Sequence, residues 1–247
     1  MFLRRGTYDE LIEQTVHVEY LGTPQSFRAD QVVLDVGCHI GAFSRLAAGR
    51  GARVIGYEAN RENYRLACLN TAEHERATIR HGAIWRSDRP AGVIHFVPST
   101  NVENTGGGTV LFDSLEAARA MFVSRDGVRS TVAAPDLPSP HDVRSVPLDA
   151  VLEALGDVQL LKIDAEGVEF PVLMTAQRLR QVAMIVGEFH EFNDVEMSRM
   201  TAEARVGNAP YSLALLIRTL AGAGFNVTAT RSVVDFRRGL FAAKRRS

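Results

Sequence analysis

The chain has 247 residues, 46% of them apolar and 23% charged, with a formal net charge of −1. That length and balance suit one large α/β domain with a real core, and they give no electrostatic reason to expect nucleic acid or an anionic membrane as partner. The two cysteines, Cys38 and Cys68, are too few for a disulfide framework and lack metal-site spacing, which suits a reducing cytoplasm.

Arg4, Arg5 and Asp9 precede no apolar run, so no signal peptide is expected. Residues 7–20 read as a helix, with Thr7 and Glu10 spaced as a capping box, and residues 1–30 form an N-terminal helix and lead-in. Gly22, Thr23 and Pro24 mark a loop. Val32-Val33-Leu34-Asp35-Val36 is an apolar run that ends at Gly37, the signature of a buried parallel strand. Beyond Gly41, Phe43, Leu46 and Ala47 take the spacing of a helix's core face, so strand, glycine turn and helix start enclose a concavity lined with backbone N–H groups. Residues 53–58 read as strand two. Residues 61–74 read as a helix with Tyr64, Ala67, Cys68 and Thr71 on one face, and 77–84 as strand three. Alternation of this kind calls for a parallel sheet with right-handed crossovers.

The middle is less regular. Residues 93–97 read as a strand and 101–108 as a polar, glycine-rich loop. Residues 113–145, with one helix at 114–122 and then Pro135, Pro138 and Pro140, fit the alternation poorly and read as an insertion or lid over the site. Regular elements resume with a helix at 147–155, a strand at 159–164, a helix at 170–179 holding Pro171 in its first turn, and a strand at 183–189. Residues 191–210 read as polar and irregular. Leu213, Leu216, Ile217 and Leu220 form an amphipathic stripe, interrupted by Arg218 and too short to span a bilayer, so a soluble protein is expected. Strands at 225–231 and 239–244 close the chain as an antiparallel edge, before a short basic tail, Lys244-Arg245-Arg246.

The chemistry concentrates at strand ends. A dinucleotide site wants Gly-x-Gly-x-x-Gly, whereas this turn has Gly37-x-x-x-Gly41 with the bulky His39 between. Asp35 would repel a pyrophosphate but suits a ligand with an ammonium group, and S-adenosylmethionine carries one beside its sulfonium. Glu58, closing strand two, has the chemistry to accept two ribose hydroxyls, and Gly82-Ala83-Ile84-Trp85 could flank adenine. Each residue alone has a plainer explanation: packing for Gly37, Gly41 and Trp85, solvation for Glu58. Asp35 and Glu58 closing successive strands favour the nucleoside ligand. Further on, Lys162 and Asp164 share one face of a strand that ends in the same crevice. Glu166 and Glu169 flank the next helix start, where complementing the helix dipole suffices for at least one of them. Glu188 and His190 end the following strand, an arrangement that can make a general base with an orienting partner.

Three segments then resemble the FkbM family of class I methyltransferases: Asp35-Val36-Gly37-Cys38-His39-Ile40-Gly41; Tyr57-Glu58-Ala59-Asn60 with Asn63-Tyr64; and Leu161-Lys162-Ile163-Asp164-Ala165-Glu166-Gly167-Val168-Glu169. Cys38-His39 stands where the family usually has Ala-Asn, and Ala59 where it has proline. The resemblance implies a Rossmann-like α/β fold: a central, mostly parallel seven-stranded sheet with helices on both faces and an antiparallel last strand, as a single methyltransferase domain over residues 1–247. It implies S-adenosylmethionine as cofactor and O-methylation of a hydroxyl on a small molecule such as a sugar or natural product. The residues assigned to the cofactor are Asp35, Gly37, His39, Gly41, Glu58, Asn60, Ala83, Trp85 and Asp164. Those assigned to catalysis are Asp164, His190, Glu188 and Lys162.

Two routes to the hydroxyl stay open: a base such as His190 or Asp164, which is favoured, or a divalent metal, magnesium before zinc, on Asp164, Glu188 and Glu166. A non-catalytic S-adenosylmethionine-binding or scaffold protein is the alternative. A nicotinamide-dependent oxidoreductase is disfavoured by the glycine spacing. A hydroxylated small molecule is the expected partner, with no nucleic acid and no membrane, a cytoplasmic location, and a homodimer among the open oligomeric states.

Overall fold

The computed structural model describes residues 1–20, 23–99, 101, 103–114, 116–118 and 139–246. Its spine is β1 (Val32–Val36), all five residues buried, because an apolar run of this length is stable only with both faces covered. β2 (Arg53–Glu58) pairs parallel on one side of it and β7 (Val158–Ile163) on the other. The sheet extends outward through β3 (Ala77–His81) and, beyond β7, through β8 (Val182–His190), β10 (Arg238–Arg245) and β9 (Phe225–Arg231), giving the seven-stranded order β3-β2-β1-β7-β8-β10-β9. β10 runs antiparallel to both its neighbours, so the final strand lies inside the sheet and β9 forms the edge. This is the Rossmann-like α/β arrangement expected, with its reversed last strand.

Neighbouring residues on each strand serve opposite faces. Val33, Val54, Leu160 and Val186 pack with Phe43 and Ala47 of α2 (Ala42–Gly49) and with Val16 of α1 (Asp9–Glu19). Leu34, Ile55, Leu161 and Ile185 belong to the larger core on the other face. There they join Leu148 and Leu152 of α4 (Leu148–Leu155), Phe170 of α5 (Glu169–Thr175) and Leu216 and Leu220 of α7 (Leu213–Gly222). The remaining helices are α3 (Arg61–Thr71) and α6 (Asp194–Arg199). None of the described helices is long and apolar enough to cross a membrane.

Several sequence expectations change. The capping box expected of Thr7 and Glu10 does not form: the cap position is Tyr8, without a side-chain bond, while the Thr7 hydroxyl accepts from the Asp9 N–H at 3.3 Å and donates to the Arg4 carbonyl. Strand three divides at Gly82 into β3 and β4 (Ala83–Trp85), and β4 joins β6 (His141–Pro147) and β5 (Gly92–Phe96) in a separate three-stranded sheet. β6 falls partly inside the insertion expected at 113–145, so residues 141–145 belong to a sheet, while 115 and 119–138 lie outside the described residues. Most of the helix read at 114–122 lies outside the described residues. The buried face of α3 consists of Asn63, Ala67, Asn70 and Thr71, because its polar side chains bond to covering backbone. Residues 191–210 contain α6, opened by a reciprocal capping box between Asn193 and Glu196.

Candidate active site

A cavity of about 560 Å³ opens at the carboxyl ends of β1, β2, β7 and β8, roofed by α1 and the loop at 101–110. That size falls within the range of roughly 300–1,000 Å³ usual for small-molecule sites, and the position is where open α/β sheets bind ligands.

Its floor is the glycine turn. Gly37 has φ +72°, and a Cβ there would lie 2.0 Å from the Asp164 carbonyl oxygen, so only glycine lets the ends of β1 and β7 meet. His39 also has a left-handed backbone, φ +52°. Asparagine is the commonest non-glycine residue there and histidine is enriched, which accounts physically for His39 standing at a family asparagine position. That backbone directs the His39 N–H to Glu58 Oε2, 2.8 Å away, while the Asn60 N–H donates to Oε1 at 2.8 Å. Glu58 thus faces the cavity in one fixed pose; burial pushes its carboxyl up, with the two N–H donors opposing.

Asp35 lies beneath this floor. It is fully buried, does not line the cavity, accepts from Ser44 Oγ at 2.7 Å and stands 3.2 Å from Lys162 Nζ. Lys162 donates to the Gly37 carbonyl at 2.6 Å and lies 3.9 Å from Asp164. Burial alone would lower its pKa, but Asp35 and Asp164 outweigh burial and raise it, so it stays an ammonium. The assignment of Asp35 to a cofactor ammonium is therefore corrected: Asp35 is the counter-ion of Lys162, and Lys162, which also reaches the cavity lining, ties the turn to β7.

Asp164 does face the cavity, with its Oδ2 accepting from the Tyr20 hydroxyl at 2.6 Å. Glu166 (φ +54°) and Glu188 line the cavity beside it. His190 does not: it is 2% exposed and within 3.4–3.7 Å of the carboxylates of Glu166, Glu169 and Glu188. Burial alone would lower the imidazole, yet Glu188, Glu166 and Glu169 together push it up; burial first, with Asp164 and Glu166, raises Glu188 against the pull of His190. His190 sits behind the cavity wall, out of direct reach of an acceptor in the cavity, and its carboxylate surroundings favour the charged ring, which does not suit the general-base role expected of it. Nor do Asp164, Glu188 and Glu166 converge as a metal site; no cluster among the described residues has that geometry, and two of the three face His190. Gly41 acts as the left-handed entry to α2, Asn60 caps α3, and Trp85 is buried in β4; none of the three lines the cavity, whereas Ala83 does.

The sequence reading places the 101–108 loop and the 113–145 segment over the site, but the N-terminal part of the roof went unnoticed. Tyr8, Leu11, Ile12, Val16 and Tyr20 of the N-terminal segment line the cavity. A polar clasp ties that segment to the 101–108 loop and the glycine turn. Asp9 accepts from Arg4 at 2.9 Å and from Thr105 Oγ1 at 2.8 Å, His39 Nε2 bonds Thr105 Oγ1 at 2.9 Å, and Asn63 donates to the Thr105 carbonyl at 3.0 Å. Burial pushes His39 down to about 4, with Asp9 opposing. The one signal available was Asn63 and Asn70, polar residues at helical spacing with Ala67 and Thr71. Tyr20, 144 positions from Asp164, gave none.

A family model for the methyltransferase FkbM domain matches residues 35–226. Among solved structures, EvdMO1 shares 14% identity with a TM-score of 0.50, over 99% of this chain and 44% of its own, so the chain spans less than half the length of that protein. Precorrin-6y C5,15-methyltransferase from Geobacter metallireducens GS-15 shares 10% identity at a TM-score of 0.44, covering 100% of this chain and 93% of its own. No curated protein matches the chain. At such identities the structural likeness concerns the fold alone.

Two outcomes follow from the geometry. Asp35→Ala strands a buried ammonium and should cost about 3–5 kcal/mol in urea unfolding; a loss under about 1 kcal/mol would show that the pair does not fix the turn. The folded state holds the His39 proton less well than the unfolded chain, so protonation of the unfolded chain should remove about 2–3 kcal/mol of stability as pH falls from 6.5 towards 4. His39→Asn should flatten that acid limb, while the fall below the ordinary pKa of Asp9, 3.8, persists.

Proposed function

This chain belongs to the FkbM methyltransferase family, and from that premise we propose that it transfers a methyl group from S-adenosylmethionine to a hydroxyl of a small molecule such as a sugar or natural product. The observation that carries this reading is that Glu58 and Asp164, at the ends of β2 and β7, open into one cavity on either side of the side-chain-free Gly37 turn.

The residues present fit the cofactor. Glu58 uses one lone pair on each oxygen for a backbone N–H and retains others for the two hydroxyls of a ribose. Ala83, Ile84 and Phe96 give the cavity an apolar wall suited to a purine. Gly37, Cys38 and Asp164 border the space between, where the amino acid portion would be held. When bound, the cofactor supplies a methyl group on sulfonium, which needs no further activation for in-line displacement.

The protein's part is then alignment, exclusion of water and proton removal. Tyr20 fixes the Asp164 carboxylate from the roof. The α1 segment and the 101–108 loop, clasped through Asp9 and Thr105, cover the cavity. With Lys162 held as a cation, His190 away from the cavity, Glu58 given to the ribose and His39 bonded into the roof, the remaining proton acceptors among the described residues lining the cavity are the carboxylates of Asp164, Glu166 and Glu188. Glu188, whose carboxyl is raised above the usual range, is the one matched to taking a proton from a hydroxyl.

Calorimetry with S-adenosylhomocysteine tests the cofactor assignment. Glu58→Ala should weaken binding about 10- to 100-fold, the loss of hydrogen bonds to a charged group worth about 1.5–3 kcal/mol. Unchanged affinity in a folded variant would remove Glu58 from the site. Glu188→Gln should bind S-adenosylhomocysteine as the parent does and lose methyl transfer in a screen of glycosides and polyketides.

A further inference from the structure

Under the acceptor side of the cavity lies a ring that the mechanism above does not use. His190 Nε2 is 3.4 Å from Glu166 Oε2 and 3.7 Å from Glu188 Oε2, and Nδ1 is 3.6 Å from Glu169 Oε2. Glu166 and Glu188 line the cavity, whereas His190 and Glu169 lie behind it. One sealed ring therefore contacts two cavity-facing carboxylates from below.

The surrounding backbone is built to make them converge. Glu166 takes a left-handed φ of +54°, which a non-glycine residue seldom adopts, and Gly167 follows at +96°. This double reversal carries the chain from the end of β7 into α5 and brings the Glu166 carboxylate onto the ring. Glu169 is fully buried; its Oε1 accepts the Ala165 N–H at 2.8 Å, which leaves Oε2 turned towards His190. Carboxylates gathered this closely out of water repel one another unless a cation stands between them.

We propose that His190 is a positioning residue: its imidazolium holds Glu166 and Glu188 together at the acceptor side of the cavity and keeps Glu188 ionisable, so that Glu188 and not His190 receives the proton of the acceptor hydroxyl. The inference rests on the assignment of Glu188 under the proposed function. Glu188 faces Asp164 from the end of β7, Glu166 from the following turn, His190 from its own strand and Arg238 from β10. Glu169 of α5 faces His190 from the far side. With His190 in place the Glu188 carboxyl is raised to about 8, close enough to neutrality to accept a proton; without the imidazolium, Arg238 alone would offset two carboxylates, and the carboxyl would rise further, out of the range in which it can act as base.

The test follows the titration of both groups by nuclear magnetic resonance, using full-length protein saturated with S-adenosylhomocysteine. In the parent, both His190 nitrogens should stay protonated at pH 7. In His190→Gln, the Glu188 carboxyl should titrate about one to three pH units higher, the shift expected on losing an opposite charge at this distance; His190→Lys should restore it. If His190→Gln fails to fold, Glu188→Gln serves instead, and the His190 ring should then lose its proton at lower pH. A singly protonated ring in the parent, or a Glu188 titration indifferent to residue 190, overturns the proposal. Because saturation with S-adenosylhomocysteine is measured in the same samples, failure of the cofactor assignment shows separately as failure to bind.

Discussion

The site depends on one buried ammonium. Lys162 reaches from β7 across the sheet to Asp35 on β1 and donates to the Gly37 carbonyl at the turn. An unpaired charge in that position would be prohibitive. Paired, it ties the two central strands together where they must approach closely enough to exclude any side chain at residue 37. The turn that results directs the His39 N–H at Glu58, and the orientation of Glu58 in turn defines the cavity. Turn geometry and carboxylate pose thus both lean on this charge pair, within a register that the buried apolar strands set.

A similar device recurs one strand further on. His190, like Lys162, is buried among carboxylates from different elements. His190 lies behind the wall, whereas Lys162 reaches the cavity floor, and in both places carboxylates beside the buried side chain also reach the cavity. The wall can therefore present Asp164, Glu166 and Glu188 together without the repulsion that would otherwise scatter them. The roof works differently. Its clasp of Asp9, Arg4, Thr105, His39 and Asn63 joins segments whose only covalent link runs through the whole cofactor-binding half, so closing the roof and ordering the glycine turn are coupled through His39.

Much of this was legible in the sequence. The run 32–36, the glycines that follow it and the carboxylates at 58, 164 and 188 announce a parallel sheet with charged strand ends, because apolar runs and strand-end carboxylates are local patterns that chain order alone exposes. Roles were harder to read. Asp35 and Glu58 look equivalent on paper, each an acidic residue near the end of a buried strand, yet Glu58 is the last residue of β2 and reaches the cavity, while Asp35 is one residue short of the end of β1 and its side chain meets Lys162. A single strand position separates a cavity-facing group from a structural one.

The sequence by itself determined the fold class, the place of the crevice and its acidic character, since hydrophobic periodicity and turn chemistry act over a few residues. Only the tertiary structure decided which charges face the ligand and which neutralise one another. Those choices depend on pairs such as Lys162 with Asp35, Tyr20 with Asp164, and His190 with Glu166. Their members are far apart in sequence or lie on opposite sides of a turn, and their burial changes the sign of what each can do. His190 shows this most plainly: a histidine beside a carboxylate reads as a base, and three carboxylates around it behind the cavity wall favour its charged form instead.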